Sequence, residues 1–157
     1  MTENVPERRS YSGSCLCEAV RFVIDGPLRD VIICHCGQCR RSHGHFAAYT
    51  AAPRDTITFA SDTGLAWFRS SDKARRGFCK RCGSSPFWAL DDDPVLRITA
   101  GSLESPTGLT SVQHIYVDDK SDYYAIGDDL PRESQSMLKR YPGLRPAERH
   151  PPYEHFL

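Results

Sequence analysis

Apolar side chains recur along this chain in short bursts rich in β-branched and aromatic residues. They run Ala19 to Ile24, Val31 to Ile33, Phe46 to Tyr49, Thr56 to Phe59 and Leu65 to Phe68, then Phe87 to Leu90, Val95 to Thr99 and Val112 to Val117. Bursts of this length, too short for a helical stripe and separated by turn formers such as Asp25-Gly26-Pro27, Asp91-Asp92-Asp93-Pro94 and Ser105-Pro106-Thr107-Gly108, predict strands. The pattern predicts a helix only over Ser134 to Arg140, where Pro142 ends it. The expected class is therefore mainly β. The ends, rich in Pro and charge, set the expected division: a flexible segment over 1–10, one β domain over 11–132, and a partly irregular extension with a short helix over 133–157. The runs Lys73-Ala74-Arg75-Arg76 and Asp91-Asp92-Asp93 are expected on a solvated face or turn, without a catalytic role. Trp67, Phe68, Phe87 and Trp88 lie within predicted strands and are expected in the core.

A chain of 157 residues holds one core and removes roughly 70% of its unfolded surface from water. Lys plus Arg equal Asp plus Glu at 20 each, so no strong field draws a nucleic acid or an anionic membrane. No apolar run exceeds four residues, against about 20 for a bilayer span. The opening segment Met1 to Arg9 has no apolar stretch that would act as a secretion signal, and the expected location is the reducing cytoplasm.

Seven cysteines conflict with that compartment unless they bind metal, because thiols there stay reduced. All lie between Cys15 and Cys82, in three local groups: Cys15-Leu16-Cys17, Cys34-His35-Cys36-Gly37-Gln38-Cys39 and Cys79-Lys80-Arg81-Cys82-Gly83. Four plus three is the natural partition. Cys79 and Cys82, followed by a turn glycine, form a zinc knuckle that needs two more ligands, and Cys15 with Cys17 provide them, closing a loop of more than sixty residues. Cys34, Cys36 and Cys39 remain, three thiolates presented by one loop leaving the Val31–Ile33 strand, with a fourth coordination position open for chemistry. Spacing alone leaves rivals standing. Cys36 and Cys39 can instead join Cys79 and Cys82 as a two-knuckle ribbon, His35, His43, His45 or His114 can close the trio, and the cysteines can be disulfides or plain core thiols.

Laid out as Gly13-Ser14-Cys15-Leu16-Cys17-Glu18-Ala19-Val20-Arg21-Phe22, Cys34-His35-Cys36-Gly37-Gln38-Cys39-Arg40-Arg41 and Arg76-Gly77-Phe78-Cys79-Lys80-Arg81-Cys82-Gly83-Ser84, the chain resembles the glutathione-dependent formaldehyde-activating enzyme family, also called centromere protein V-like. The likeness runs from about Tyr11 to Arg132 and takes in His114-Ile115-Tyr116-Val117 and Gly127-Asp128-Asp129-Leu130-Pro131. It implies a β-tent fold with two zinc ions per chain, a structural one on Cys15, Cys17, Cys79 and Cys82 and a catalytic one on Cys34, Cys36 and Cys39. It also implies a carbon–sulfur lyase reaction, the reversible joining of formaldehyde to glutathione as S-hydroxymethylglutathione. A zinc held by three thiolates is a poor activator of water but a good acceptor of a fourth thiol, so the expected partner is a small thiol or a thiol–aldehyde adduct. His35, His43 and His45 are candidates to move the proton, and Arg40, Arg41 and His43 to contact substrate. The competing class is a non-catalytic module whose zincs only stabilise a protein-binding surface.

Overall fold

The computed structural model describes residues 9–134. Eleven strands divide between two sheets. A small sheet takes β1 (Ser10–Ser14), β2 (Arg21–Asp25) and β5 (Ile57–Ser61) in the order β1-β2-β5. The remaining strands are β3 (Val31–Cys34), β4 (Ala47–Pro53), β6 (Leu65–Arg69), β7 (Ala74–Cys79), β8 (Phe87–Leu90), β9 (Val95–Thr99), β10 (Ser111–Ile115) and β11 (Arg132–Glu133). They line up as β11-β10-β3-β4-β9-β8-β7-β6. The mainly β expectation holds, and each of the eight predicted bursts contributes a strand.

Pairing is antiparallel except where β10 lies parallel to both β3 and β11. That departure from a wholly antiparallel design matters for the site. It brings His114 beside Ile33 and Ile115 beside Cys34 across some eighty residues of chain, a proximity no local pattern encodes.

The main core is built where the two sheets face each other. Phe22 and Ile24 of β2 pack with Ala52, Phe87, Ala89, Leu96 and Ile98, and each large apolar side chain so buried contributes about 1.5–3 kcal/mol. Phe22 and Phe87 meet edge-on at 5.0 Å between centroids, the geometry that ring quadrupoles favour. Cys15 and Cys79 belong to this same cluster, so the first cysteine group is continuous with the core.

Two expectations are corrected. Trp67 and Phe68 are 36% and 62% exposed, because β6 is an edge strand with one face open; of the four aromatics only Phe87 is fully buried. The segment Lys73 to Arg76 is not a solvated face: it enters β7, whose alternation buries Ala74 and Arg76, while Arg75 lies over the Trp67 ring at 4.6 Å. The acidic run does form a turn, yet Asp93 pairs with the buried Arg97 at 2.6 Å. The helix expected over Ser134 to Arg140 lies outside the described residues beyond its first position. Among the described residues one α-helix that the pattern did not predict is present, α1 (Gly37–His43).

Candidate metal centres and the network around them

Cys15 and Cys17 sit on the turn between β1 and β2, and Cys79 and Cys82 on the turn that closes β7. Gly64 makes their approach possible, since a Cβ there would lie 2.8 Å from the Cys79 sulfur and 2.8 Å from Ala19 Cβ. Gly83, at φ +79, takes the left-handed turn that a side chain resists. The four sulfurs all lie within 4.8 Å of one another. Cys17 Sγ stands 3.8 Å from Cys15 Sγ and 3.7 Å from Cys79 Sγ. A tetrahedron with zinc–sulfur bonds of about 2.3 Å has edges of about 3.8 Å, whereas a disulfide needs about 2.05 Å. The donor set and its spacing thus fit a four-thiolate metal.

Polar groups are already aimed at these sulfurs. Val20 N–H points at Cys15 Sγ at 3.3 Å, and the Ser84 hydroxyl lies 3.3 Å from Cys82 Sγ. The Ser84 hydroxyl, followed by its backbone N–H, pulls the Cys82 thiol down to about 5. The N–H of Cys82 acts in the same direction on Cys79. Donors that stabilise thiolates lower the cost of gathering them around a cation.

The second group is Cys34, Cys36 and Cys39, whose sulfurs also lie within 4.8 Å of one another. They are presented by a strand end and a helix start rather than by one loop. Cys34 ends β3, Cys36 caps α1 by accepting from Cys39 N–H at 3.4 Å, and Cys39 sits in its first turn. Gly44 closes the helix at φ 80, with its N–H on Arg40 O. The helix escapes a periodicity search because Gly37 to His43 is only about two polar turns with a single buried side chain, Cys39.

Hydrogen bonds from Cys34 and Cys39, in that order, hold the Cys36 thiol far below its ordinary value. The same interactions push Cys34 up. Among the described residues no histidine, aspartate or glutamate joins the three sulfurs, and neither knuckle cysteine does. The two-knuckle ribbon and the histidine-closed trio both fail on this geometry.

Two histidine networks flank the trio. In the first, His35 is fully buried. Its Nδ1 meets the Tyr124 hydroxyl at 2.5 Å and its Nε2 meets His114 Nδ1 at 2.8 Å. His114 Nε2 reaches the Asp128 carboxylate at 3.0 Å. One assignment satisfies every atom: Tyr124 O–H donates to His35, His35 Nε2–H to His114, and His114 Nε2–H to Asp128. Both rings are then neutral, and the chain of bonds pins residues 124 and 128 against β3 and β10.

Burial, and then the neighbouring His114, lowers His35 to about 4. Its folded value lies below the usual 6.5, so its contribution to stability is complete above about pH 6.5 and is lost as pH falls toward about 4. Proton NMR of the ring is expected to show His35 neutral at pH 5, and a midpoint near 6.5 would contradict the assignment. With both nitrogens occupied, His35 is a strut rather than a proton donor to substrate. His45, the third candidate, is held at Nδ1 by the Tyr123 hydroxyl at 2.6 Å.

The second network touches the trio itself. His43 Nε2 lies 3.0 Å from the Tyr49 hydroxyl. Arg76 donates to that hydroxyl at 3.2 Å, to Gln38 Oε1 at 3.3 Å and toward Cys39 Sγ at 3.7 Å. Burial opposes the Arg76 charge, yet the neighbouring Tyr49, Cys39 and Cys36 hold the guanidinium above its ordinary value. Burial and then Arg76 lower His43, and burial raises Tyr49. Trp88, expected in the core, packs on this cluster with Ile115 and Tyr116. Of the arginines after the trio, Arg40 donates to Ser121 Oγ at 3.2 Å and Arg41 is exposed.

Arg76, Tyr49 and Trp88 were not legible as site residues. The available signal was the register β8 imposes on β7, which sets Arg76 opposite Trp88.

The chain is 29% identical over 119 residues to an uncharacterized lyase of Schizosaccharomyces pombe, a match covering 73% of this chain and 83% of the relative. Its fold is similar to the crystal structure of a Rhodobacter sphaeroides protein, with a TM-score of 0.51 and 23% identity over 64% of this chain and 97% of the other. No helix of the described residues is long and apolar enough to cross a membrane. The sequence model of one family, the glutathione-dependent formaldehyde-activating enzymes, matches residues 10–119 and so spans both cysteine clusters; it is to this family that the chain belongs.

Proposed function

We propose that the chain is a zinc-dependent carbon–sulfur lyase acting on thiol–aldehyde adducts, with S-hydroxymethylglutathione, formed from glutathione and formaldehyde, as the leading substrate. In this reading Cys15, Cys17, Cys79 and Cys82 hold a structural zinc, and Cys34, Cys36 and Cys39 hold a second one with a fourth position left for substrate sulfur. The observation that carries it is the separation of the seven thiols into a set of four and a set of three, the latter with no fourth metal-binding side chain among the described residues. Zinc bound at the trio supplies a positive centre that keeps a substrate sulfur as thiolate, the form that adds to an aldehyde and departs from its adduct.

The residues supply the rest. In cleavage the carbon–sulfur bond breaks with its electron pair going to sulfur, while the hydroxyl oxygen loses a proton and becomes the aldehyde oxygen. His43 and Tyr49 are the proton-carrying pair linked to the trio, through Arg76. The neutral His43 imidazole takes that proton and, as imidazolium, returns it in the reverse direction, while the Tyr49 hydroxyl, which burial keeps protonated, holds the ring in place. In this reading Arg41, exposed on α1, pairs with a substrate carboxylate, while Arg40, tied to Ser121, positions the loop beside it.

Glutathione and formaldehyde interconvert with their adduct without a catalyst, so the test is a rate comparison. Exchange NMR of the mixture is expected to show interconversion accelerating in proportion to added protein. Exchange at the spontaneous rate would reject this substrate pair.

A further inference from the structure

A guanidinium taken out of water is costly unless an anion meets it. Arg76 is 6% exposed, yet the ion pairs among the described residues join Arg69 to Asp91, Arg97 to Asp93 and His114 to Asp128, and none includes Arg76. What its terminal nitrogens reach is a tyrosine hydroxyl, a glutamine carbonyl and the sulfur of Cys39. Two of these are neutral. Only the trio can supply the negative charge.

The electrostatics of the trio call for such a partner. Three thiolates around a dication leave one net negative charge, and a substrate thiolate in the fourth position makes it two. In a partly buried site each uncompensated charge is expensive. The backbone donors at the trio, the N–H groups of Cys39 and Gln38 on Cys36, supply only partial charges. The other arginine near Tyr49, Arg29, donates to its backbone carbonyl at 2.8 Å.

We propose that Arg76 is the built-in countercharge of the Cys34–Cys36–Cys39 site, a positioning residue that makes three thiolates and an incoming fourth tolerable around one metal ion. The register of the sheet holds it there. Arg76 pairs with Trp88 on one side and Phe68 on the other, and its contacts to Tyr49 and Gln38 aim the guanidinium at Cys39. The four-cysteine site needs no equivalent, because Cys17 is exposed to water and Cys82 half-exposed.

The inference rests on the trio holding a metal, and the test separates the two claims. Zinc-loaded wild-type protein, Arg76→Gln and Arg76→Lys are titrated with EDTA while released zinc is counted. In Arg76→Gln one zinc is expected to bind about 10- to 100-fold more weakly, the other remaining as in wild type. Arg76→Lys, which keeps the charge but loses the planar fork, is expected to recover most of the difference. The proposal is overturned if Arg76→Gln holds both ions as wild type does, if both sites weaken together or the protein fails to fold, or if lysine is as defective as glutamine. Wild-type protein holding a single zinc would instead remove the functional reading and the inference with it.

Discussion

Cys79→Ser is expected to abolish cooperative unfolding and to yield protein lacking the four-cysteine zinc. Cys79 is fully buried within the main core cluster, beside Cys15, Val20 and Phe87. Its sulfur shares an edge of the ligand tetrahedron with Cys17, 62 residues away in sequence. A metal held by these four thiols would close the loop containing β2 to β7. A structural zinc contributes about 10–16 kcal/mol in small domains, while a whole domain is stable by only about 5–15 kcal/mol. Losing one thiolate therefore removes more than the fold can spare. Circular dichroism during heating reads the result, and a sharp transition within a few degrees of wild type would refute the structural role.

Cys36→Ser is expected to do the opposite, preserving the fold and removing activity. Cys36 is the N-cap of α1, where its side chain accepts the Cys39 N–H. Serine serves well at such positions, so the helix keeps its start. What is lost is a ligand, and with it the positive centre at the trio. Metal stabilisation of developing charge is worth several kcal/mol, which corresponds to about 10²- to 10³-fold in rate. Adduct exchange together with a thermal melt measures both halves. Loss of folding equal to that of Cys79→Ser would undo the division between the two sites.

What the sequence disclosed and what it concealed follow from the range of the interactions. The strands were legible because short bursts of β-branched and aromatic residues between turn formers mark them locally, as in Val95 to Thr99 and Phe87 to Leu90, whose bounds match the bursts. The three cysteine groups were legible because each lies within a few residues, while the meeting of Cys15 and Cys17 with Cys79 and Cys82 spans more than sixty. Helix α1 was hidden because a short helix between a cap and a left-handed glycine carries no periodic stripe. Arg76 was hidden for a different reason. In Lys73-Ala74-Arg75-Arg76 it reads as surface charge, and only the pairing of β7 with β8 and the return of β4 bring it against Cys39 and Tyr49. The strut from Tyr124 to Asp128 depends likewise on β10 lying parallel to β3. Contacts of high sequence separation completed a site whose ligands were local.

The functional expectations depend on the trio being a metal site distinct from the four-cysteine one. Zinc counted by mass spectrometry in wild-type protein purified without chelator tests this most directly. Two ions per chain are predicted, and one or fewer would contradict the account.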